Sequence, residues 1–596
     1  MTTEIIVVLI VLTITVILLA LDLLRIDIVG ILCMLALAWT GVLSPLESLS
    51  GFSSNAVIAM IAVMVLGRGI GRTGLMDRFA GWVLRVAGDE RSRLVALVSA
   101  AVGLMSGVIQ NVGAAALFLP AMLAISRRKR LPASQIIMPI GFAAILGGTL
   151  TMVGSGPLIT VNDLLANAGL GPYGLFAVTP VGLMLLAAGI GFFYFAGAAV
   201  LPHSDQHKDG ASPQKALIDG WQLPFSISHY RIPDDSSLVG KTPEETGIWE
   251  KRQLNIVGIT RDGALEYAPW RGTRFEANQD LAIMGEEDAV RAFAAQHALV
   301  HVGKPGRFAV LNDPTSAGFA EVVVPPRSSL VGATIREFGL RRRFAVEPVL
   351  LYHTGERVAR DFSDLPIAAG DIFVVYGLWE KIQDLKSSED FVLLTQATVD
   401  RRDQSKAWIA ALCFALAVGV ALAGFPISIS FLTGALAMAL TGVLRIEEAY
   451  EAVDWKVVFF LAGLIPLGLA MQQTGTAALL AEGVMGVVSG RHPLVLLLAV
   501  AVLATVFSLF MSNVAATVIL APLVISMAEI GGLSPRPLAL LVAVCAANSF
   551  LIPTHQVNAL LKTPGGYRNA DYLKAGGGMT LLFLIAAVTV FYLFYL

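Results

Sequence analysis

Two stretches of this chain carry no charge over a length that suits neither one membrane span nor two. Between Arg93 and Arg127 lie 33 uncharged residues, and the stretch from His492 to Ala528, between Arg491 and Glu529, repeats the feature. As a single helix, 33 residues would run roughly 50 Å at 1.5 Å per residue, while a bilayer core asks for about 20 residues. The pattern predicts a re-entrant hairpin in each stretch, entering and leaving on one side. Non-helical backbone at a hairpin tip is tolerated at membrane depth only where it is buried in protein or lines a cavity. Both tips are therefore expected to point toward a site.

The rest of the chain agrees with a membrane protein, since 56% of its residues are apolar and only 14% are charged. That balance excludes a wholly soluble globular protein. The charges are concentrated: the 205 residues between Leu201 and Ala407 hold 24 Lys and Arg and 29 Asp and Glu, which marks one soluble insert between two membrane halves. Neither the insert nor the whole chain, with a net charge of -2, suggests a nucleic-acid partner. Cys33, Cys413 and Cys545 sit in apolar runs without CxxC spacing, so neither a disulfide framework nor a zinc site is supported.

The run from Ile5 to Leu21 lacks a basic n-region and an A-x-A cleavage site, and reads as a first transmembrane helix. Further spans are expected at 28–44, 55–71, 135–166 with an interruption, and 175–200. After the insert they fall at 407–424, 427–444, 456–471, 537–561 with an interruption, and 577–596. Arg68, Arg72, Arg78, Arg85, Arg91, Arg93 and the run Arg127, Arg128, Lys129, Arg130 share one side if the first hairpin returns to its origin. Positive loops lie in the cytoplasm, so the insert is expected inside and both termini outside.

The halves are weakly self-similar at an offset of about 401: Thr73-Gly74 matches Thr474-Gly475, and Ser106, Asn111 and Pro120 match Ser508, Asn513 and Pro522. Repeats of opposite orientation, each with a hairpin and a broken helix, are an architecture of secondary transporters with a midplane site. The insert repeats too. SSLVGKT at 236–242 recurs as SSLVGAT at 328–334. Each copy precedes an alternating apolar run (Asn255 to Thr260, Ala345 to Tyr352), a second strand (Asp280 to Met284, Asp371 to Tyr376) and a short amphipathic helix (Glu287 to Gln296, Leu378 to Leu385). Two tandem α+β modules are expected. The expected fold is an α-helical polytopic membrane protein with inverted repeats, re-entrant hairpins and broken helices, carrying central cytoplasmic α+β domains. Its parts are a membrane repeat at 1–201, a linker at 202–225, modules at 226–299 and 319–396 joined by a linker at 300–318, a linker at 397–406, and a second membrane repeat at 407–596.

At the first tip, Asn111 is placed to cap an apolar helix at mid-membrane, and Asn513 does the same from the other side. Two such helix N-termini would make an anion site without a buried Lys or Arg. Gly147-Gly148-Thr149 and Gly154-Ser155-Gly156-Pro157 break one helix, and Pro553-Thr554-His555-Gln556 breaks its counterpart. Unwound carbonyls beside a tip can coordinate Na⁺. His555, in the unwound loop, serves either proton coupling or a neutral structural hydrogen bond. Asp163 lies either in the cavity or at the outer mouth; Asp454 reads as interfacial, and His203 and His207 as solvated linker.

With Asn-bearing tips followed nine residues later by proline, and the broken segments GGTLTMVGSGP and FLIPTHQVNALL, both halves resemble the divalent anion/sodium symporters of the ion transporter superfamily. The stretch TPGGYRNADYLKAG (563–576) is similar to that family's C-terminal signature, and the insert resembles paired C-terminal modules of regulators of K⁺ conductance. The resemblance implies polar tip side chains on the substrate and nearby carbonyls on the cation. Carried onto this sequence, the anion would meet Gln110, Asn111, Ser512, Asn513, Thr554, His555 and Asn558, and Na⁺ would meet Ser106, Asn111, Gly148, Gly154, Ser508, Asn513 and Pro553. In the family each tip is Ser-Asn-Thr; here the tips are Gln110-Asn111-Val112 and Ser512-Asn513-Val514, without either threonine. The asparagine of the family's Pro-Pro-Asn motif persists as Asn558, while its first-half counterpart is Leu158. A sulfate-like oxyanion is therefore expected in preference to a dicarboxylate.

The expected function is cation-coupled transport of a small inorganic or organic anion, with Na⁺ or H⁺ as the coupling ion. A homodimer in a bacterial inner membrane, with membrane lipid as a further partner, is expected. The insert would regulate, with a small cytosolic ligand on its modules; without GxGxxG, NAD is not expected. An exchanger shares the fold. A channel gated by the modules would need a filter, and no TVGYG-like string is present. No HExxH, GxSxG or carboxylate pair in the spans suggests an enzyme.

Overall fold

The computed structural model describes residues 2–88, 90–129, 131–202, 213–221, 223, 226–261, 264–303, 306–313, 316–354, 356–358, 361–386, 388–395, 404–488 and 492–595. His203, His207, Arg130, Arg491 and most of the linker at 397–406 lie outside the described residues. The chain divides into two compact units, one formed by Met1–Gly210 with Arg402–Leu596 and the other by Ala211–Arg401.

The first unit is helical. Its N-terminal half runs α1 (Thr3–Ala20), α2 (Ile26–Trp39), α3 (Asn55–Arg72), α4 (Leu75–Ala87), α5 (Arg91–Ser106), α6 (Asn111–Lys129), α7 (Ile137–Gly147), α8 (Gly156–Asn167) and α9 (Thr179–Val200). Its C-terminal half repeats the series as α10 (Ala407–Leu422), α11 (Ile427–Leu440), α12 (Trp455–Gln473), α13 (Thr476–Val488), α14 (Pro493–Phe510), α15 (Asn513–Ile530), α16 (Pro535–Cys545), α17 (Gln556–Lys562) and α18 (Asn569–Phe594). Seven helices among the described residues are long and apolar enough to cross a membrane. The recurrent Thr-Gly pairs end equivalent helices: the Thr73 and Thr474 hydroxyls donate to carbonyls of their own last turns, and Gly74 (φ +64°) and Gly475 (φ +75°) supply the left-handed residue that stops α3 and α12. The amphipathic helix α4 was not expected. Asp77, Arg78 and Arg85 make it too polar to read as a span, yet Trp82 and Val86 lie exposed on it.

The packing is reciprocal between the halves. Helix α2 packs on α12 and α11 on α3; α8 packs on α15 and α16, while α17 packs on α6 and α7; α9 packs on α18. Both broken segments are thereby held against the hairpin of the opposite half. Tyr567, from the 563–576 stretch, joins the halves directly: its hydroxyl donates to the Ser134 carbonyl and accepts from the Met138 N–H, both at 2.7 Å.

The second unit holds two five-stranded antiparallel sheets. The first comprises β1 (Ser226–Arg231), β2 (Asn255–Arg261), β3 (Ala264–Tyr267), β4 (Asp280–Gly285) and β5 (Val300–His301), in the order β3-β2-β4-β1-β5. The second comprises β6 (Ala317–Val323), β7 (Glu347–His353), β8 (Glu356–Arg357), β9 (Ile372–Leu378) and β10 (Val392–Leu393), in the order β10-β6-β9-β7-β8. Read by position the two orders are the same, and a register shift falls at Ile256/Gly258 in one and Pro348/Leu350 in the other. The repeated string has one job in each: Leu238 and Leu330 are buried, and Thr242 and Thr334 form capping boxes with Glu245 and Glu337. The second apolar run begins at Glu347 and not at Ala345, because Ala345 takes a left-handed conformation (φ +51°) to end the preceding helical turn. One apolar cluster joins both sheets, bringing Val257 and Ala282 together with Phe319, Val349 and Tyr376.

Candidate functional site

The first uncharged stretch is a helix, a four-residue turn and a second helix, with Gly107, Val108, Ile109 and Gln110 in the turn. Asn111 is the first helical residue of α6 and not its cap. Its side chain is engaged elsewhere: Ser106 Oγ lies 2.7 Å from Asn111 Oδ1 and 2.6 Å from the Ala144 carbonyl. The Thr151 hydroxyl donates to the Gly107 carbonyl at 2.6 Å, tying the turn to the broken segment. Gln110 is exposed at the tip.

The second stretch turns more tightly, through Met511 and Ser512. Ser512, not Asn513, caps α15, its Oγ accepting from the Ala515 N–H at 3.2 Å. Asn513 Oδ1 instead accepts from the Ser549 hydroxyl at 3.0 Å. Ser549 belongs to the second break, and its carbonyl accepts from Asn558 Nδ2 at 2.8 Å. Tyr572 in turn donates to the Asn558 carbonyl at 3.0 Å. Asn558 is 1% exposed, and its side chain is spent on the Ser549 carbonyl.

The first break spans both tips. A β-carbon built on Gly148, at its start, would stand 2.6 Å from Asn111 Oδ1; one on Gly156, at its end, would stand 2.6 Å from Val514 Cγ2 in the first turn of α15. Between them the chain folds back on itself, Gly154 lying over the Gly148 carbonyl. The eight residues from Gly148 to Ser155 thus run from beside the Asn111 side chain to a glycine, Gly156, packed on Val514. A helix N-terminus carries roughly half a positive charge and unpaired N–H groups. No Lys or Arg occurs in either turn or in the residues that begin α6 and α15.

Ser106, Asn111, Gly148 and Gly154 are therefore gathered into one cluster, and Ser512, Asn513 and Asn558 into another through Ser549. Ser508 stands apart, its hydroxyl donating to the Thr505 carbonyl of its own helix. Thr554 and Gln556 are exposed, Pro553 and His555 partly so. His555 caps α17, Nδ1 accepting from the Val557 N–H at 3.2 Å. Sequence reasoning missed Ser549, Asn548 and Thr151. Asn548 is fully buried, donates to Thr505 Oγ1, and leaves its Oδ1 without a partner. Nothing in its local pattern distinguishes it from a small polar residue in an apolar helix.

Beside the first break lies a cavity of about 370 Å³ whose wall includes Met152, Asn55, Asn162, Asp163 and Ser428. Asp163, 7% exposed, accepts from the Ala56 N–H at 2.7 Å and so satisfies a free N–H at the start of α3. Ser428 donates to Asn55 Oδ1 at 2.6 Å, and Asn162 pairs with the backbone of Tyr173 through both its amide atoms.

The chain matches the family model described as citrate transporter over residues 8–545. It is 29% identical to the uncharacterized transporter YfbS of Escherichia coli (strain K12), over 98% of both chains. It is 28% identical to the uncharacterized transporter sll0640 of Synechocystis sp., over 96% of this chain and 94% of the relative. With sodium/sulfate cotransporter 2 of Chlamydomonas reinhardtii it shares 24% identity over 55% of this chain and 38% of that one.

Proposed function

The chain belongs to the citrate transporter family, a family of transporters and not of enzymes, and from that premise we propose that it is a Na⁺-coupled secondary transporter of a small anion, sulfate-like in preference to a di- or tricarboxylate. The observation that carries this reading is the first break, whose two ends lie against Asn111 and against the first turn of α15. An anion held there meets two helix N-termini, which favour negative charge without a basic side chain. The reciprocal packing of α8 on α15 and of α17 on α6 supports repeats of opposite orientation, the arrangement that allows one site to be reached from either face in turn.

In this reading Asn111, Asn513, Gln110 and Ser512 meet the anion, with Thr554 and His555 at the rim, while carbonyls near Ser106, Gly148, Gly154, Ser508 and Pro553 serve the coupling cation. Asn558 is a positioning residue that fixes Ser549. The missing tip threonines favour a compact oxyanion, and the sodium/sulfate relative supports the same choice. The cavity lined by Asp163 and Asn162 is the aqueous approach to the break. The insert, folded as a self-contained unit, regulates transport from the cytoplasm.

The test is uptake of labelled sulfate, citrate and succinate into proteoliposomes, with and without Na⁺ and pH gradients. Sulfate uptake driven by an inward Na⁺ gradient is the expected result. Carboxylate uptake without sulfate uptake would overturn the substrate assignment, and uptake indifferent to Na⁺ would overturn the coupling.

A further inference from the structure

A second polar pocket, of about 60 Å³, lies at the far end of the first hairpin from its tip, among α5, α7 and the last turns of α9. Its wall includes Arg91, Ser92, Ser99, Gln135 and Tyr194. Arg91, Ser92 and Ser99 lie at the start of α5 and two turns further on, along one face. Helix α5 begins at Arg91 and no side chain caps it. The Ser134 hydroxyl donates to the Pro202 carbonyl at 2.7 Å and ties the turn carrying Gln135 to the end of α9.

Two buried polar side chains of this pocket, Ser99 and Gln135, lack hydrogen-bond partners among the described residues. Ser99 is 2% exposed and its hydroxyl has none. Gln135 is 4% exposed, and no hydrogen bond of its side chain with a described residue occurs. Arg91 forms no ion pair with a described carboxylate. Three donors and an uncapped helix N-terminus converging on one pocket ask for an occupant rich in acceptors and negative in charge. The rim gives its second property. Tyr194 is 53% exposed and Phe195 beside it 85%, on a helix apolar enough to span a membrane. Exposed aromatics at the end of such a helix sit at the headgroup level of a bilayer.

We propose that this pocket binds the phosphate of an anionic phospholipid. Arg91 pairs with the phosphate, Gln135 and Ser99 donate to its oxygens, and the acyl chains leave over Tyr194 and Phe195. A lipid so placed would bridge the base of the first hairpin to α7 and α9. This inference is independent of the transported substrate.

The experiment uses the purified full-length protein in detergent. Thermal unfolding midpoints and retained lipid by native mass spectrometry are compared with added phosphatidylglycerol, phosphatidylcholine or inorganic phosphate, for wild type, Arg91→Gln and Ser99→Ala. Phosphatidylglycerol should raise the midpoint and be retained, phosphatidylcholine should not, and Arg91→Gln should weaken the effect about fivefold or more. Ser99→Ala should weaken it less while folding normally, which keeps the test decisive should Arg91→Gln fold poorly. An unchanged phosphatidylglycerol effect in Ser99→Ala, and in Arg91→Gln where it folds, would overturn the proposal. So would a shift reproduced in full by inorganic phosphate, which would mark a free-anion site.

Discussion

Ser106 Oγ lies 2.7 Å from Asn111 Oδ1, whereas at the matching place in the second half Asn513 takes its hydrogen bond not from Ser508 but from Ser549 of the broken segment. In the first half it is Gly148 of the broken segment that lies beside Asn111, where a β-carbon would stand 2.6 Å from Asn111 Oδ1. The two tips reach the same end, an asparagine oriented by a hydroxyl, from different elements.

Asn111→Ala and Asn513→Ala should each abolish uptake while folded protein is still made. Ser106→Ala and Ser549→Ala should weaken substrate affinity by about fivefold, the worth of one hydrogen bond of about 1 kcal/mol. Uptake kinetics check both pairs. Near wild-type uptake in either asparagine variant would refute a site shared by the tips.

Gly148→Ala should also abolish uptake, because its methyl group would stand 2.6 Å from Asn111 Oδ1. Gly191→Ala, where nothing lies within 4 Å, should leave uptake unchanged. The pair separates a specific approach at the break from a general intolerance of added volume in glycine-rich helices.

The hairpin stretches, the broken helices and the doubled insert were legible because each leaves a long-range mark: a charge-free length, a glycine or proline cluster in an apolar run, or a repeated string. The caps were not. Asn111 and Asn513 look like cap residues, but the hydroxyls that claim their side chains come from Ser106, five residues back, and from Ser549, 36 residues on. Asn558 was read as facing the substrate, since a buried amide and a substrate ligand share one sequence signal. Only the geometry assigns its Nδ2 to the Ser549 carbonyl.

Asn558→Ala should therefore act on stability as well as transport. It leaves a carbonyl without its partner in a fully buried segment, at a cost of about 1–3 kcal/mol. A lowered unfolding midpoint accompanied by reduced affinity is expected, and combining it with Ser549→Ala should cost less than the two changes summed.

In the insert, the Asp361 carboxylate accepts from both terminal nitrogens of Arg271, at 2.7 and 3.3 Å, and joins the two modules. Burial raises the Asp361 pKa, but the hydrogen bonds from Arg271 and Ser363 outweigh it and hold the group below its ordinary value. A depressed carboxylate stabilises the fold above its unfolded pKa of about 3.9 and loses that contribution as pH falls through its folded value. Asp361→Asn should lower the unfolding midpoint at neutral pH, by about 1–2 kcal/mol for a pair this far buried. The gap to wild type should close below about pH 3.9; a gap that persisted there would mean the pair contributes through shape and not charge.

A chain in which a flexible linker joins Leu201 directly to Ala407 tests the role of the insert. Among the described residues, each unit has large apolar clusters of its own. Each unit therefore has the core it needs to fold without the other. All the tip and break residues lie in the helical unit, so the shortened chain should bind and carry the anion, and should lose only its control. Retained binding with unregulated uptake supports regulation. A protein that is dimeric at full length and monomeric without the insert, with transport otherwise unchanged, would assign the insert to assembly. Abolished binding in a folded protein would make it part of the transport mechanism, since no residue of the proposed site would then have been removed.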